Sequence, residues 1–327
     1  MTTTNCRILV TGGSGFIGTH FVSRYSSEDD EILNLDIKKP LVEDQKKYWR
    51  DVDITDCSAL KKEFDNFEPT HVINFAAKAT LDGKTLDDFS ENVVGTKNVI
   101  KCLRGTKSVK RFVHVSTQYV VTPGVFPDDD EMMLPYTLYG ESKALAEQCL
   151  RESELECEWV IARPTNIWGP RHPTFPYTLW RYIQKGWYIH PGYQPVNRYY
   201  GYVRNAVEQL GCLLLGLQER DCNRKVFYVS DPPIDSYRWM NAFSIALRGR
   251  PVRRVPRHVW GGLALAGDLL NGLGFRFPIH RQRYFRLTTE ERVPLERTLQ
   301  LCGMPKISLE EGVRETVAWL RRRESDG

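Results

Sequence analysis

The sequence predicts an α/β fold, a doubly wound parallel sheet with a smaller C-terminal α/β domain. Three features indicate it: a glycine-rich turn near the start, short aliphatic runs that alternate with amphipathic segments, and polar residues just after several of these runs. Alternating strands and helices imply a parallel sheet covered by helices on both faces. Ligands of such sheets bind beyond the carboxyl ends of the strands, where these polar residues fall.

The glycine-rich turn, TGGSGFIG, joins the first predicted strand to the first predicted helix. Residues 7–10 form a β-branched and aliphatic run, and residues 16–26 place apolar side chains at helical spacing. At Gly12, Gly15 and Gly18 the missing Cβ permits a tight turn and lets the backbone approach a pyrophosphate. Free N–H groups and the positive helix end attract the phosphates, so this turn predicts a dinucleotide site of Rossmann type.

An acidic residue at the end of the second strand bears on which dinucleotide binds. Residues 31–35 read as a strand that ends in Asp36, about where a carboxylate meets the adenosine ribose. A carboxylate accepts hydrogen bonds from both ribose hydroxyls and repels a 2′-phosphate, which favours NAD over NADP. Lys38 and Lys39 follow closely; we read them as solvated turn lysines, and the alternative is that they soften this preference.

The alternation continues along the chain. Further strands are predicted at residues 71–76, 111–116, 159–163 and 225–229, residues 48–54 lead to Asp53, and helices are predicted at 88–103 and 136–149. We therefore expect an NAD-binding domain over residues 1–166 and 203–232, and a substrate-binding domain over 167–202 and 233–327.

A second group of polar residues predicts acid/base chemistry. Ser116 and Thr117 follow a strand, and Tyr139 and Lys143 lie four residues apart on a predicted helix, so the last two share a face. An ammonium near a phenol lowers the pKa of the phenol, as does a positively charged nicotinamide. With a hydroxyl from Thr117 or Ser116 holding the reacting oxygen, the group suits oxidation of an alcohol or protonation of a ketone. The alternative is a pair of ordinary helix-surface residues.

These motifs, in this order, resemble an extended short-chain dehydrogenase/reductase of the NAD-dependent epimerase/dehydratase family, whose members act on nucleotide sugars. The resemblance covers most of the chain. It rests on TGGSGFIG, Asp36 and the motifs DVDITD, NFAA, ENVVGTKNV, HVST, YGESK and RPTNIWGP.

The resemblance implies a role for each matching residue. Backbone groups of the glycine turn, Phe16 and Ile17 would bind the pyrophosphate, and Asp36 the adenine ribose. The remaining cofactor contacts would come from Asp53 and Ile54 at the adenine, Ala76 and Ala77 along the cofactor, Asn92 near it, Lys143 at the nicotinamide ribose and Pro164 beside the nicotinamide. Tyr139 would be the acid/base with Thr117 as its hydroxyl partner, and Asn166 would reach a substrate phosphate or sugar. For Asn92 and Asn166 a structural role as turn or cap residues is the alternative.

Departures from the family pattern narrow the reaction. Dehydratases of the family carry Asp-Glu after the threonine, whereas this chain has Gln118 and Tyr119, which supply neither a ready acid nor a ready base. An aspartate-rich stretch after the substrate loop is replaced by GYVRN at residues 201–205. In the aromatic and basic segment before it, we select Arg198 as the phosphate contact.

The predicted function is NAD-dependent C4 epimerisation of a UDP-sugar through a transient 4-keto sugar, with Tyr139 as acid/base. Two alternatives are net oxidoreductases: a nucleotide-sugar 4-keto reductase, or an NAD(P)-dependent hydroxysteroid or flavonol-like dehydrogenase. A cofactor-sensing protein without turnover is a third. The resemblance also implies a homodimer, in which the helices at 88–103 and 136–149 form a four-helix bundle across a two-fold axis.

The composition is that of a globular protein, with 41% hydrophobic residues, 26% charged residues and a net charge of +4. The basic run at residues 248–258 has no nucleic-acid-binding module beside it, so no nucleic-acid partner is expected. Eight cysteines without a Cys-x-x-Cys pair predict neither a metal site nor a disulfide framework. The sequence opens directly into its first strand without a signal segment, so a reducing cytoplasm is the expected location.

One apolar segment, residues 259–274, directly follows the basic run. Asp268 and Asn271 interrupt it and it is too short to span a bilayer, so no stable membrane insertion is expected. We interpret it as packing within the substrate domain; the alternative is an amphipathic helix on a membrane surface.

Overall fold

The structure is a computed structural model that describes residues 6–26, 31–216, 222–275 and 277–325. Its strands are β1 (Arg7–Thr11), β2 (Glu31–Leu35), β3 (Trp49–Arg50), β4 (His71–Asn74), β5 (Arg111–Val115), β6 (Glu158–Pro164), β7 (Ile189–Pro191), β8 (Asn197–Arg198), β9 (Lys225–Val229), β10 (Ile234–Asp235) and β11 (Arg253–Val255). Seven of them form a parallel sheet in the order β3-β2-β1-β4-β5-β6-β9. The predicted fold class is thereby confirmed.

The helices are α1 (Phe16–Tyr25), α2 (Cys57–Phe67), α3 (Thr96–Gly105), α4 (Leu138–Arg151), α5 (Leu179–Gln184), α6 (Val203–Leu215), α7 (Ser236–Arg248), α8 (Arg257–Gly272), α9 (Arg281–Thr288), α10 (Glu296–Cys302) and α11 (Leu309–Ser325). Alternate strand residues point to opposite faces. Ile8 and Val10 therefore lie in one apolar cluster with α1 and α6, while Leu9 lies in the other with α2 and α3. A sheet buried on both faces explains why its strands read as continuous apolar runs.

Two predicted elements differ from the structure. The helix predicted at 88–103 is a 3₁₀ turn (Leu86–Phe89), a π-helical turn (Glu91–Gly95) and then α3. The run predicted at 48–54 pairs with the sheet only at Trp49–Arg50. Beyond β3 the chain turns away from the sheet, and the Asp53 side chain accepts a hydrogen bond from the N–H of Thr55, 2.8 Å away.

The C-terminal elements pack beside the end of the sheet. Strand β7 pairs with β11 and strand β8 with β10. A cluster of large aromatic side chains, Trp168, Trp180, Tyr200, Trp239 and Phe243, fills the space between α5, α7 and the main sheet. Among the described residues, every helix falls short of the length or apolarity needed to cross a bilayer.

Candidate active site

The glycine-rich turn leaves the carboxyl end of β1 and approaches the segment that follows β4. Gly12 has φ +74°, and a Cβ added to it would lie 2.5 Å from the Ala76 nitrogen. Gly18 packs on the Gly12 carbonyl, which leaves no space for a side chain there either. These two glycines are thus required by the close approach of backbone segments, in the place where a dinucleotide would lie.

Side chains from β2 hold this turn. The Asp36 carboxylate accepts from the Ser14 N–H (3.0 Å) and the Lys38 N–H (2.9 Å). The Asn34 Oδ1 accepts from the Gly13 N–H (2.9 Å), and its Nδ2 donates to the Ser14 hydroxyl (3.1 Å). Burial raises the pKa of Asp36. The sequence analysis missed Asn34; its signal is a fully buried polar residue inside an apolar strand.

Helix α1 begins directly after the turn, at Phe16. Its N-cap, Gly15, is exposed and brings no capping side chain. The amides of Phe16 and Ile17, in the first turn, therefore point to where an anion would gain hydrogen bonds and the favourable helix dipole.

The predicted adenine and mid-cofactor residues follow β3 and β4. Asp53 is exposed, whereas Ile54 is buried and packs against Gly95. Ala76 and Ala77 are half-buried in the segment after β4.

Asn92 is fully buried within the π-helical turn. Its Oδ1 accepts from the Lys78 N–H (2.8 Å), and its Nδ2 donates to the Ser142 hydroxyl (2.8 Å). It ties the segment after β4 to helix α4, which is a positioning role beside the predicted cofactor region.

The structure brings Thr117 and Tyr139 together. Thr117 caps the 3₁₀ turn after β5, and its hydroxyl lies close enough to the Tyr139 phenol to lower the pKa of that phenol. Helix α4 starts close to this turn because Gly140 packs directly on the Tyr119 carbonyl. Thr137 caps α4 by accepting from the Gly140 N–H at 3.0 Å.

Lys143 lies one turn further along α4, almost fully buried, and its Nζ donates to the Val115 carbonyl at the end of β5 (2.7 Å). Burial lowers the pKa of Lys143 to about 8 and raises that of Tyr139 to about 12, while the nearby Thr117 hydroxyl lowers the latter. The expectation that Lys143 depresses the pKa of Tyr139 stays a prediction. In the structure the amine is directed to a backbone carbonyl, and burial disfavours its charge.

Two further predicted residues lie at neighbouring strand ends. The buried Ser116 hydroxyl, just after β5, has no hydrogen-bond partner among the described residues. Pro164 is the last residue of β6 and is buried. No group of three His, Cys, Asp or Glu side chains in the described ranges could hold a metal ion.

The other side of Tyr139 is lined by aromatic and charged groups that the sequence analysis did not assign to the site. The ring of Tyr119 lies 6.2 Å from that of Tyr139 and 5.6 Å from that of Tyr136. Arg286 of α9 lies close enough to the Tyr119 phenol to lower its pKa, while burial raises the pKa of both Tyr119 and Tyr136. Arg286 is distant in the sequence from Tyr119, Tyr136 and Tyr139, so no local pattern indicates this arrangement.

The two residues predicted to contact substrate, Asn166 and Arg198, meet at one buried carboxylate. Arg198 forms an ion pair with Glu291, and the Asn166 Nδ2 donates to the same carboxylate at 3.0 Å. The pair lies close enough to Tyr119 and Tyr136 to influence their pKa values. Arg198 therefore borders the aromatic group beside Tyr139, with its charge already partnered.

Comparisons with known proteins agree on the family. The model of the NAD dependent epimerase/dehydratase family matches residues 8–215. An N-acetyl-α-D-glucosaminyl-diphospho-ditrans,octacis-undecaprenol 4-epimerase of Escherichia coli O157:H7 is 30% identical over 214 residues, covering 62% of this chain and 62% of the relative. A UDP-glucose 4-epimerase of Vibrio cholerae is 26% identical, and the match covers 94% of this chain and 94% of the relative. Further relatives are matched over about half of their own length.

A similar fold occurs among solved structures. The UDP-glucose 4-epimerase of Thermotoga maritima superposes with a TM-score of 0.74, at 20% identity, over 97% of this chain and 99% of the other. At that identity the likeness concerns the fold.

Proposed function

Because the chain belongs to the NAD-dependent epimerase/dehydratase family, we propose that it is an NAD-dependent C4 epimerase of a nucleotide sugar, with a UDP-sugar as substrate. The observation that carries the proposal is the closeness of the Thr117 hydroxyl to the Tyr139 phenol, one helical turn from Lys143 and at the same edge of the sheet as the glycine-rich turn. This edge is where parallel sheets bind ligands.

The residues fit the cofactor. The tight packing at Gly12 and Gly18 keeps side chains away from the turn, the first amides of α1 face it, and Asp36 lies where two ribose hydroxyls would donate. NAD supplies the chemistry of accepting a hydride from the sugar and returning it. The unpartnered Ser116 hydroxyl and Pro164 would flank the nicotinamide, and Lys143 would bind its ribose.

In the mechanism that we propose, Tyr139 acts as a phenolate, a form that the positive charge of a bound nicotinamide would favour; its oxygen removes the proton from the C4 hydroxyl and later returns it to the 4-keto oxygen. The Thr117 hydroxyl would hold the reacting oxygen in line with the phenol. Rotation of the 4-keto sugar between the two steps exposes its other face, so the product is the C4 epimer. This route needs one acid/base group, in agreement with Gln118 and Tyr119 at the positions where dehydratases have carboxylates.

The test measures cofactor and turnover separately. Mass spectrometry identifies the cofactor released from the denatured protein, and a panel of UDP-sugars is then followed for conversion to their C4 epimers. Tyr139→Phe is expected to keep NAD and to lose about a hundredfold or more in turnover. Tyr177→Phe, at a tyrosine 59% exposed on the short turn before α5, is the matched control. Activity of Tyr139→Phe at the level of this control would contradict the assignment.

A second candidate substrate is a sugar linked by diphosphate to a polyprenol, with the same C4 reaction. The E. coli relative that carries such a substrate in its name favours it, as does the exposed apolar face of α8. Both substrates present a sugar diphosphate, so they differ only beyond the second phosphate. Epimerisation of a soluble polyprenyl-diphosphate sugar analogue in preference to every UDP-sugar would select this candidate.

We further propose an NAD-binding domain over residues 1–166 and 203–232 and a substrate-binding domain over 167–202 and 233–327. We also propose a homodimer built on α3 and α4, and a cytoplasmic location. Val94 and Leu145 are exposed apolar residues just before α3 and on α4, respectively, and they support the dimer. Light scattering after gel filtration tests the dimer. Leu145→Glu is expected to give a monomer, whereas an unchanged mass would place any interface elsewhere.

A further inference from the structure

We propose that helix α8 docks on the surface of an anionic lipid bilayer. One face of this helix is packed in the protein. Trp260, Ala264 and Gly267, at helical spacing, are its buried residues. The Trp260 indole donates to the Ile189 carbonyl (3.0 Å) and stacks on Tyr284 of α9. Packing of this face agrees with the interpretation that residues 259–274 pack within the substrate domain. It leaves the other face of the helix unexplained.

The opposite face is also apolar and lies in solvent. Val259, Leu265, Leu269 and Leu273 are 43%, 58%, 68% and 66% exposed, and Phe275 just beyond the helix is 65% exposed. We call these five residues the α8 apolar face. A surface helix of a globular protein carries polar residues on its outer side. Exposed apolar residues that cluster on one element indicate an interaction site.

The charge around this face selects the partner. Residues 248–286 contain nine arginines and one acidic residue, a net charge of +8, whereas the whole chain carries +4, so the rest of the chain is net negative. Arg250, Arg253 and Arg257, at the start of α8 and before it, are exposed. The single acidic residue, Asp268, lies 4.0 Å from Arg281. Apolar side chains bordered by cations are complementary to an anionic headgroup layer.

The geometry fits an interfacial position. The helix has 16 residues, which gives it a length of about 24 Å. That is shorter than a membrane span, but it suits a helix lying in the plane of the headgroups. Helix α9, packed on α8, carries Arg286, which lies close enough to Tyr119, beside Tyr139, to influence the pKa of the Tyr119 phenol. Docking through α8 therefore brings one wall of the candidate active site close to the lipid surface.

Vesicle flotation of the full chain tests the proposal. Vesicles of phosphatidylcholine alone are compared with vesicles of equal parts phosphatidylcholine and phosphatidylglycerol. The protein is expected to float with the second and to remain below the first. Leu269→Glu is expected to reduce the vesicle partition coefficient at least about tenfold, and Arg253→Gln about fivefold. Leu41→Glu is the matched control, because Leu41 is 77% exposed in the loop after β2 and is distant from α8 in the sequence. It is expected to float like the wild type.

Two measurements keep the result interpretable. Phe275→Trp, which preserves the apolar face, is expected to lose fluorescence to brominated anionic lipids, and an absence of quenching would overturn the proposal. Flotation of Leu269→Glu at the level of Leu41→Glu would also overturn the proposal. A Leu269→Glu variant in which only the oligomeric mass changes would overturn it too, because the α8 apolar face would then bind a second copy of the chain. NAD binding and turnover in lipid-free buffer are expected to be the same in all four variants, so failure here leaves the proposed enzyme activity untouched.

Discussion

Gly12→Ala is the substitution that tests the glycine-rich turn most directly. The backbone at Gly12 has φ +74°, which costs an L-residue about 1–2 kcal/mol. The added Cβ would also lie 2.5 Å from the Ala76 nitrogen and 2.7 Å from its Cα, against 3.4–4 Å for ordinary contact. Overpacking against backbone costs about another 1–3 kcal/mol. We therefore expect the free energy of unfolding to fall by about 2–5 kcal/mol.

Relief of the overlap requires the segments after β1 and β4 to separate, which displaces Ala76 and the turn amides together. NAD affinity, measured by calorimetric titration, is expected to fall at least about tenfold, and urea unfolding gives the stability change. Gly105→Ala is the matched control, because a Cβ there meets nothing within 4 Å and the position ends a helix. We expect it to bind NAD normally. If Gly12→Ala matched Gly105→Ala in both NAD affinity and stability, the close approach of the two segments would not be required for the site.

Three further predictions concern buried charges. Burial lowers the pKa of Lys143 from 10.5 to about 8, so between pH 8 and 10 the unfolded chain binds more protons at this site than the folded chain does. The free energy of unfolding of the wild type should therefore rise by about 1 kcal/mol per pH unit relative to that of Lys143→Met. Urea unfolding at three pH values measures this, and a difference that stays constant with pH would show that the amine is solvated. Arg163→Met removes the closest ion-pair partner of the fully buried Glu147 and leaves it the 3.5 Å contact to Arg151 and the nearby charge of Lys143. The free energy of unfolding in urea should fall by about 3–5 kcal/mol, with recovery in the double variant Glu147→Gln/Arg163→Met. An equally unstable double variant would refute the charge argument. Arg198→Met should raise KM for the sugar nucleotide at least about tenfold with unchanged NAD affinity; a loss of stability with normal KM would make its pair with Glu291 purely structural.

The parts of the site that could be predicted are those determined by short stretches of neighbouring residues. A turn between strand and helix needs glycines at fixed spacing, and residues four apart on a helix share a face, so Gly12, Gly18, Tyr139 and Lys143 follow from short segments. The strands of the main sheet other than β3 could also be predicted, because each is a largely apolar run buried on both faces. The break before α3 could not be predicted: Asn92 in the π-helical turn is bonded to the backbone of Lys78 in a separate loop, and no local pattern indicates that contact.

The substrate side could not be predicted in the same way, because its partners are far apart in the chain. Arg198 and Glu291 are 93 residues apart, and nothing near either one indicates the other. An exposed arginine beside a diphosphate would gain its full charge-assisted hydrogen bonds, whereas one already paired with a buried carboxylate must exchange that partner or share it. If Arg198 is the phosphate contact, as the sequence analysis predicts, we expect substrate affinity to depend on the competition between Glu291 and the diphosphate for one guanidinium. That competition is a property of the fold, and only the assembled site reveals it.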